Sequence, residues 1–167
     1  MEKIKWGIIG PGNIANNFAD GLKGSYSGQL VSIASKSEDR RKNFGDKYDI
    51  HPDFRFDSYE DIINSEHIDA IYISTPHTLH AEWTIKAAGK GKHILCEKPG
   101  AISFNEGKKI IDAVREAGVF YMEGFMYRCH PQIPKLVDII KNKIIGDVIS
   151  IETSFGFDTG KTIPDHR

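Results

Sequence analysis

The sequence is poor in cysteine and contains no long apolar run. Only two of its 167 residues are cysteines, Cys96 and Cys129, which is too few for a disulfide framework or a four-ligand zinc site. No apolar stretch approaches the roughly 20 residues of a membrane-spanning helix, and the N-terminus lacks the apolar core of a signal peptide. We therefore expect a cytoplasmic protein that does not enter a membrane.

The sequence also lacks an excess of either charge. Its net charge is -1, which gives no electrostatic reason to expect nucleic acid or an anionic membrane as a partner. With 40% hydrophobic and 27% charged residues, the composition is that of a globular protein. Its length allows one domain with a substantial core and the start of a second.

Short β-branched apolar segments alternate along the chain with segments of helical period. This alternation predicts an α/β fold with a doubly wound parallel sheet. One helix is predicted between a capping Ser103 and a terminating Gly118. The predicted strands are Ile4–Ile9, Leu30–Ala34, Ile68–Ser74, His93–Cys96, Val119–Met122 and Val148–Phe157.

The last predicted strand has a different pattern from the others. Residues 148–157 alternate polar and apolar side chains, as in a sheet that is covered on one face only. We therefore predict a domain boundary near Phe125–His130, with a dinucleotide-binding domain over 1–125. Residues 126–167 would form the incomplete start of an α+β substrate and dimerisation domain.

A glycine-rich turn follows the first predicted strand directly. Gly10, Gly12 and Ala15 fit the pattern G-x-G-x-x-[GA], in which the glycines allow a tight turn and close approach of a pyrophosphate. The following helix would begin at Asn13 and Ile14, and its N-terminus would face the phosphates. The motif therefore predicts a Rossmann-type site for a dinucleotide.

The end of the second strand indicates which dinucleotide binds. A cofactor with a free ribose 2′-hydroxyl favours an acidic residue there, but this sequence has Ser35 and Lys36, with Arg40 one helical turn later. Hydroxyl and cationic groups favour a 2′-phosphate, so we predict NADP, with NAD still possible. The alternative is a solvated charge run at a helix start.

A second polar segment follows the strand that ends near Ser74. Thr75, Pro76 and His77 are consecutive, and His80 follows three residues later. We predict that these four residues line the nicotinamide side of the site. A His-x-x-His pair also occurs at metal sites, but no third ligand has suitable spacing, so we predict no metal. Two surface histidines remain an alternative.

Glu97 and Lys98 follow the next strand and precede Pro99. Ligands of open α/β sheets bind beyond the carboxyl ends of the strands, so Lys98 would lie near the glycine turn and could hydrogen-bond a substrate hydroxyl. Glu97 could orient the lysine or hold a ribose. The alternative is an ordinary ion pair at a strand end.

Three segments together resemble one protein family. "GIIGPGNIA", "YISTPHTLHAEWTIKAAGKGKHILCEKP" and "YMEGFMYRCHPQ" are similar to the glucose–fructose oxidoreductase/inositol dehydrogenase (Gfo/Idh/MocA) family. Within it they resemble most the branch of dihydrodiol dehydrogenase and NADP-dependent xylose dehydrogenase. The resemblance runs through essentially the whole chain, although Gly100 stands where the family has a leucine-like residue.

The resemblance implies hydride transfer between NADP and the hydroxyl-bearing carbon of a sugar, polyol or cyclic diol. It implies that Gly10 and Gly12 bind the pyrophosphate and that Lys98 assists proton transfer. It also implies that Arg128 approaches the cofactor and that the C-terminal sheet forms homo-oligomers. The residue patterns and the resemblance together predict the following cofactor-binding residues: Gly10, Gly12, Asn13, Ile14, Ser35, Lys36, Arg40, Thr75, Pro76, His77, His80, Glu97, Lys98 and Arg128.

Members of the family continue beyond the point where this sequence stops, and there they supply a further catalytic acid or base. We therefore expect the chain to be a truncated form of an NADP-dependent dehydrogenase. One alternative is a non-catalytic NADP-binding protein that associates through its exposed final strand. Another is an enzyme that takes its missing residues from a second subunit.

Overall fold

A computed structural model describes residues 2–156 of the chain. The chain divides into two compact units, Met1–Gly124 and Phe125–Arg167. The assignment of 126–167 to a substrate domain stays a prediction.

The first unit contains a six-stranded sheet in which every pair of neighbouring strands is parallel. The strands are β1 (Ile4–Ile9), β2 (Gly28–Ala34), β3 (Arg55–Phe56), β4 (Ala70–Ile73), β5 (His93–Cys96) and β6 (Tyr121–Glu123). Their order is β3-β2-β1-β4-β5-β6, so the direction of winding reverses between β1 and β4. The predicted doubly wound Rossmann sheet is confirmed, and ligands of such sheets bind at this point of reversal.

Helices connect the strands of this sheet. They are α1 (Asn13–Lys23), α2 (Glu38–Lys47), α3 (Tyr59–Asn64), α4 (His80–Ala88) and α5 (Phe104–Ala117). Parallel strands need such crossovers because each strand must start at the same end of the sheet.

The core lies on both faces of the sheet because β-strand side chains alternate. Ile8 and Tyr72 belong to a cluster on one face together with Ala15 of α1. Ile9 and Ile73 belong to the cluster on the other face. Strands covered on both faces read as continuous apolar runs in the sequence, which is why β1 and β4 were predictable.

The caps of α5 are those that the sequence predicts. Ser103 Oγ accepts a hydrogen bond from Glu106 N at 3.2 Å, and Glu106 Oε2 accepts one from Ile102 N at 3.1 Å. Gly118 ends the helix in the left-handed conformation, with φ of +64°. A residue with a Cβ is strained in this conformation, which explains the glycine.

Four strands differ from the sequence prediction. β2 begins two residues earlier than predicted, and β4 is shorter at both ends. β3 is only two residues long, too short to show a periodic pattern. β6 begins at Tyr121 rather than Val119, because Val119 N bonds to Val114 O at the end of α5 and Phe120 N bonds to His93 Nδ1.

The second unit contains a short 3-10 helix (Met126–Cys129) and α6 (Gln132–Lys141). The predicted strand Val148–Phe157 is wrong for 148–156, which form no strand; Phe157 lies outside the described residues. A strand requires the backbone of a neighbouring strand, and alternation in the sequence does not provide one. Within residues 2–156, no helix is long and apolar enough to cross a membrane.

Candidate dinucleotide and catalytic site

The carboxyl ends of the central strands form one continuous edge. Ser74 N donates to Ile9 O at 2.9 Å, and Glu97 N donates to Ile73 O at 2.9 Å. These bonds join the residues that follow β4 to the end of β1, and those that follow β5 to the end of β4. The glycine turn, the threonine–histidine segment and the Glu97–Lys98 pair therefore share one edge of the sheet.

The turn after β1 is shaped to accept an anion. Gly10 has φ of +89°, and a Cβ on it would lie 3.0 Å from Ser74 O. Ser74 Oγ also donates to Gly10 O at 2.7 Å, which ties the turn to the end of β4. A side chain on Gly12 would meet no atom within 4 Å, so the space above the turn is open.

The N-terminus of α1 lies directly behind this open space. Gly12 is its N-cap and makes no side-chain hydrogen bond, and no acidic residue occupies the first turn. Exposed Asn13 and Ile14 are the first residues of the helix. Helix N-termini attract phosphate through unpaired backbone N–H groups, so these residues fit the pyrophosphate of a dinucleotide.

Ser35 follows β2 and is fixed by its neighbours. It is buried, its Oγ accepts from Ser37 N at 3.2 Å, and its carbonyl accepts from Arg41 Nη1 at 2.7 Å. Ser37 in turn caps α2 by accepting from Arg40 N at 3.4 Å. The loop that would contact the adenosine ribose therefore has a defined shape, and Arg41 is a contributor that the sequence reasoning missed.

Two cationic side chains lie exposed at this loop, Lys36 and Arg40. Lys36 Nζ lies 5.8 Å from the centre of the Tyr59 ring. Burial raises the pKa of Tyr59, and the positive charge of Arg40 acts in the opposite direction. The nearest charges thus suit a phosphate, although acidic Glu38 and Asp39 follow immediately.

The residues that follow β4 differ in how deeply they are buried. Pro76 and His77 are exposed, whereas Thr75 is 6% exposed and its Oγ1 has no hydrogen-bond partner among the described residues. Buried hydroxyls are rarely left unpaired, so an unpaired one at this edge is consistent with a ligand contact.

His80 lies beneath this segment rather than in its exposed part. It is the first residue of α4 and has 0% exposure. Its Nε2 is 2.8 Å from Thr75 O and its Nδ1 is 2.8 Å from Pro99 O. A neutral imidazole donates one hydrogen bond, and the tautomer decides which of the two carbonyls accepts it. In either tautomer the ring lies between the end of β4 and the turn after β5.

The described residues contain no group of three or more His, Cys, Asp or Glu side chains that could hold a metal ion. His77 and His80 are neighbours, with ring centres 5.5 Å apart, but the nitrogens of His80 both face backbone carbonyls. The pair is therefore arranged for packing and hydrogen bonding.

The turn after β5 holds Glu97 and leaves Lys98 exposed. Tyr72 Oη donates to Glu97 Oε1 at 2.6 Å, and Lys98 N donates to Glu97 Oε2 at 3.3 Å. In the described part of the chain, no hydrogen bond or ion pair engages the Lys98 ammonium. The bond between Lys98 and Pro99 is cis. The lysine is thus available to a ligand.

Gly100 completes this turn by close packing against β6. Its N–H donates to Glu123 Oε1 at 2.7 Å, and a Cβ at this position would overlap the hydroxyl of Tyr121. This contact explains why glycine replaces a larger residue here.

Tyr72 holds Glu97 and Glu123 holds the turn at Gly100, and sequence reasoning missed both. Tyr72 reads as one more residue of a buried strand, so only the strand register identifies its contact. Arg128 belongs to the 3-10 helix of the second unit and is exposed; its predicted approach to the cofactor stays a prediction.

The fold and this edge together define a dinucleotide-binding domain with an acid–lysine pair at the same edge of the sheet as the glycine turn. Comparison with known families is more specific. The chain belongs to the oxidoreductase family with an NAD-binding Rossmann fold, GFO_IDH_MocA, whose sequence profile matches residues 4–125. The resemblance predicted from the sequence motifs is confirmed.

Individual relatives include dehydrogenases and reductases. A D-xylose 1-dehydrogenase (NADP(+)) from Haloferax volcanii is 34% identical over 154 residues, which are 92% of this chain and 46% of that protein. A trans-1,2-dihydrobenzene-1,2-diol dehydrogenase from Xenopus tropicalis is 33% identical over 159 residues, or 94% of this chain and 48% of that one.

A solved structure agrees with these relatives. A 3-ketoreductase from Actinomadura kijaniata, crystallised with NADP and TDP-benzene, has a TM-score of 0.77 and 31% identity; the match covers 86% of this chain and 43% of that one. The chain thus spans about half the length of the relatives it matches.

Proposed function

We propose that this chain is the cofactor-binding part of an NADP-dependent oxidoreductase. The substrate would be a sugar, polyol or cyclic diol, oxidised at a hydroxyl-bearing carbon or formed by the reverse reduction. The observation that carries the proposal is the shared edge of the sheet, which holds the glycine turn after β1 and, on the other side of β4, the Glu97–Lys98 pair after β5. The names of the relatives support the substrate class.

The residues of the edge divide the work of binding. Gly10, Gly12 and the first turn of α1 would hold the pyrophosphate. Ser35 and Lys36 would contact the adenosine ribose and its 2′-phosphate, with Arg40 adding positive charge. Pyrophosphate binding to a glycine turn and a helix N-terminus is driven by backbone N–H groups and the helix dipole.

The remaining residues act on the substrate side. When bound, the nicotinamide ring supplies or accepts the hydride. Lys98, as the neutral amine, would take the proton of the substrate hydroxyl during oxidation and release it to solvent; as the ammonium, it would give a proton to the oxygen during reduction. Glu97 would accept a hydrogen bond from the ribose, and Thr75 Oγ1 would bond to the ligand that covers it.

The cofactor preference has a direct test in this chain. Isothermal titration of NADP and NAD should show tighter binding of NADP. Lys36→Asp should move the ratio of the two affinities by about tenfold or more toward NAD, since a charge-assisted contact is lost and a repulsive one gained. The same change at exposed Lys109 on α5 serves as the control. An unchanged ratio in Lys36→Asp would count against the 2′-phosphate assignment.

Turnover separates an enzyme from a nucleotide-binding protein. Oxidation of D-xylose, a polyol and a trans-dihydrodiol should be followed by NADPH absorbance, first with this chain and then with a chain extended through the second domain. Turnover that appears only with the extended chain supports the truncated enzyme. Binding of NADP without turnover in either form favours the non-catalytic alternative.

We also propose a homo-oligomer and a cytoplasmic location. Apolar side chains of the second unit are exposed, including Ile144, Ile149 and Ile151, and such surfaces are normally covered by another part of the protein or by a second copy. Both cysteines are free, as is usual in a reducing compartment. Sedimentation velocity of the extended chain tests the oligomeric state.

A further inference from the structure

We propose that Tyr72 is a positioning residue that fixes the Glu97 carboxylate for contact with the nicotinamide-side ribose. This inference rests on the proposed function and adds to it a residue on β4 that carries no recognisable motif. The hydroxyl of Tyr72 would act through Glu97 and would not touch the cofactor itself.

The strand register places the two side chains on the same face of the sheet. Tyr72 pairs with Leu95 across β4 and β5, and Glu97 lies two residues beyond Leu95. Side chains two residues apart on a strand point to the same face, so Glu97 is the diagonal neighbour of Tyr72. Their hydrogen bond is short, at 2.6 Å, as expected for a hydroxyl that donates to a carboxylate.

The donor is held rigidly. Tyr72 is 2% exposed, and its ring stacks on Phe18 of α1 with centroids 4.1 Å apart. Phe18 in turn meets Trp6 edge-on at 5.2 Å. Burial, reinforced by the bond to Glu97, raises the pKa of Tyr72 far above its usual value. The phenol therefore stays protonated and donates at any physiological pH.

The acceptor is fixed at both oxygens. Oε1 of Glu97 faces Tyr72, and Oε2 accepts from Lys98 N at 3.3 Å. A carboxylate held in this way cannot rotate freely, so one hydrogen-bonding site is presented at the strand end before a ligand arrives. Preorganised acceptors bind more tightly because less freedom is lost on binding. Helix α1, which begins directly after the glycine turn, packs on the same face of the sheet as Tyr72. The Glu97 carboxylate therefore lies on the face of the sheet that α1 covers.

Two ligands distinguish local positioning from general loosening. Dissociation constants for NADP and for adenosine 2′,5′-bisphosphate, which lacks the nicotinamide half, should be measured by isothermal titration. Tyr72→Phe should weaken NADP binding about fivefold and leave the bisphosphate within about twofold, because one charge-assisted hydrogen bond is lost at the nicotinamide side only. Tyr48→Phe removes another hydroxyl on this face, bonded to Asn16 in the first turn of α1, and should leave the ratio of the two affinities unchanged because both ligands carry a phosphate there.

Unchanged NADP affinity in Tyr72→Phe, or equal weakening for both ligands, would overturn the proposal. Glu97→Asp withdraws the carboxylate from the hydroxyl without touching the core, and it should cause the same selective loss. If it does not, the proposal fails even where Tyr72→Phe does not fold. A wild-type chain that binds neither ligand would overturn the proposed function itself.

Discussion

Replacement of His80 tests how the turn after β5 is attached to the rest of the sheet. The His80 ring is fully buried and lies 2.8 Å from both Thr75 O and Pro99 O. His80→Phe keeps a planar ring of similar size but removes both ring nitrogens. It therefore removes the hydrogen-bonding groups between two backbone segments that flank the proposed nicotinamide position.

The magnitude follows from the buried carbonyl of Thr75, which would lose its partner. A buried polar group left unsatisfied costs about 1–3 kcal/mol, whereas the carbonyl of exposed Pro99 can bond to water. The free energy of unfolding should therefore fall by about 1–3 kcal/mol, which is a substantial part of the roughly 5–15 kcal/mol that stabilises a typical domain. His80→Gln retains an amide donor and should cost less.

Urea denaturation followed by tryptophan fluorescence measures this loss, since Trp83 lies on the same helix as His80 and is 5% exposed. His77→Phe makes the same chemical change at an exposed neighbour and should alter stability by less than about 0.5 kcal/mol. If His80→Phe were as stable as wild type, the two contacts would not be hydrogen bonds that hold the turn, and the reasoning would be refuted.

Three further predictions concern the same edge. Lys98→Ala should abolish turnover in a chain extended through the second domain while NADP affinity changes by less than about fivefold, because the exposed ammonium acts on the substrate. Gly100→Ala should lower the free energy of unfolding by about 1–3 kcal/mol, since the new methyl overlaps the Tyr121 hydroxyl, and Tyr121→Phe should restore part of the loss. Burial raises the pKa of the Cys96 thiol to about 12, so iodoacetamide at pH 8 should label exposed Cys129 and leave Cys96 unmodified.

Each of these has a clear contrary result. Undiminished turnover in Lys98→Ala would contradict the proposed role of Lys98 in proton transfer. Gly107→Ala is the matched control for Gly100, because a Cβ there would meet its nearest neighbour only at 3.9 Å; an equal loss in both would rule out the overlap. Mass spectrometry that finds Cys96 and Cys129 labelled at equal rates would contradict the burial argument.

The sequence predicts the fold well where one local rule determines the structure. The strands β1 and β4 are covered on both faces and read as apolar runs, and α5 is delimited by Ser103 and Gly118. The prediction failed for 148–156, because strand formation depends on a neighbouring backbone that alternation in the sequence does not reveal. β3 was missed because two residues carry no period.

The candidate site shows the same division. Gly10 and Lys98 are found from motifs, since their chemistry is unusual at strand ends. Tyr72 is found only from the register between β4 and β5, because a tyrosine within an apolar strand looks like an ordinary core residue. His80 was predicted to line the nicotinamide side, which stays a prediction; the structure shows its ring buried between two carbonyls. Depth below the surface is a tertiary property that spacing does not encode.

The turn after β5 is anchored on both sides of Lys98, and the lysine side chain itself is left free. Glu97 is held by Tyr72, Pro99 by His80, and Gly100 by Glu123. Among the four, only Lys98 has an exposed ionisable side chain without a partner in the described part of the chain. The proposed role of Lys98 requires a backbone that delivers the side chain to the site and a side-chain nitrogen that is free to exchange a proton. The anchored backbone on both sides of the lysine suits the first requirement, and the unpaired ammonium suits the second.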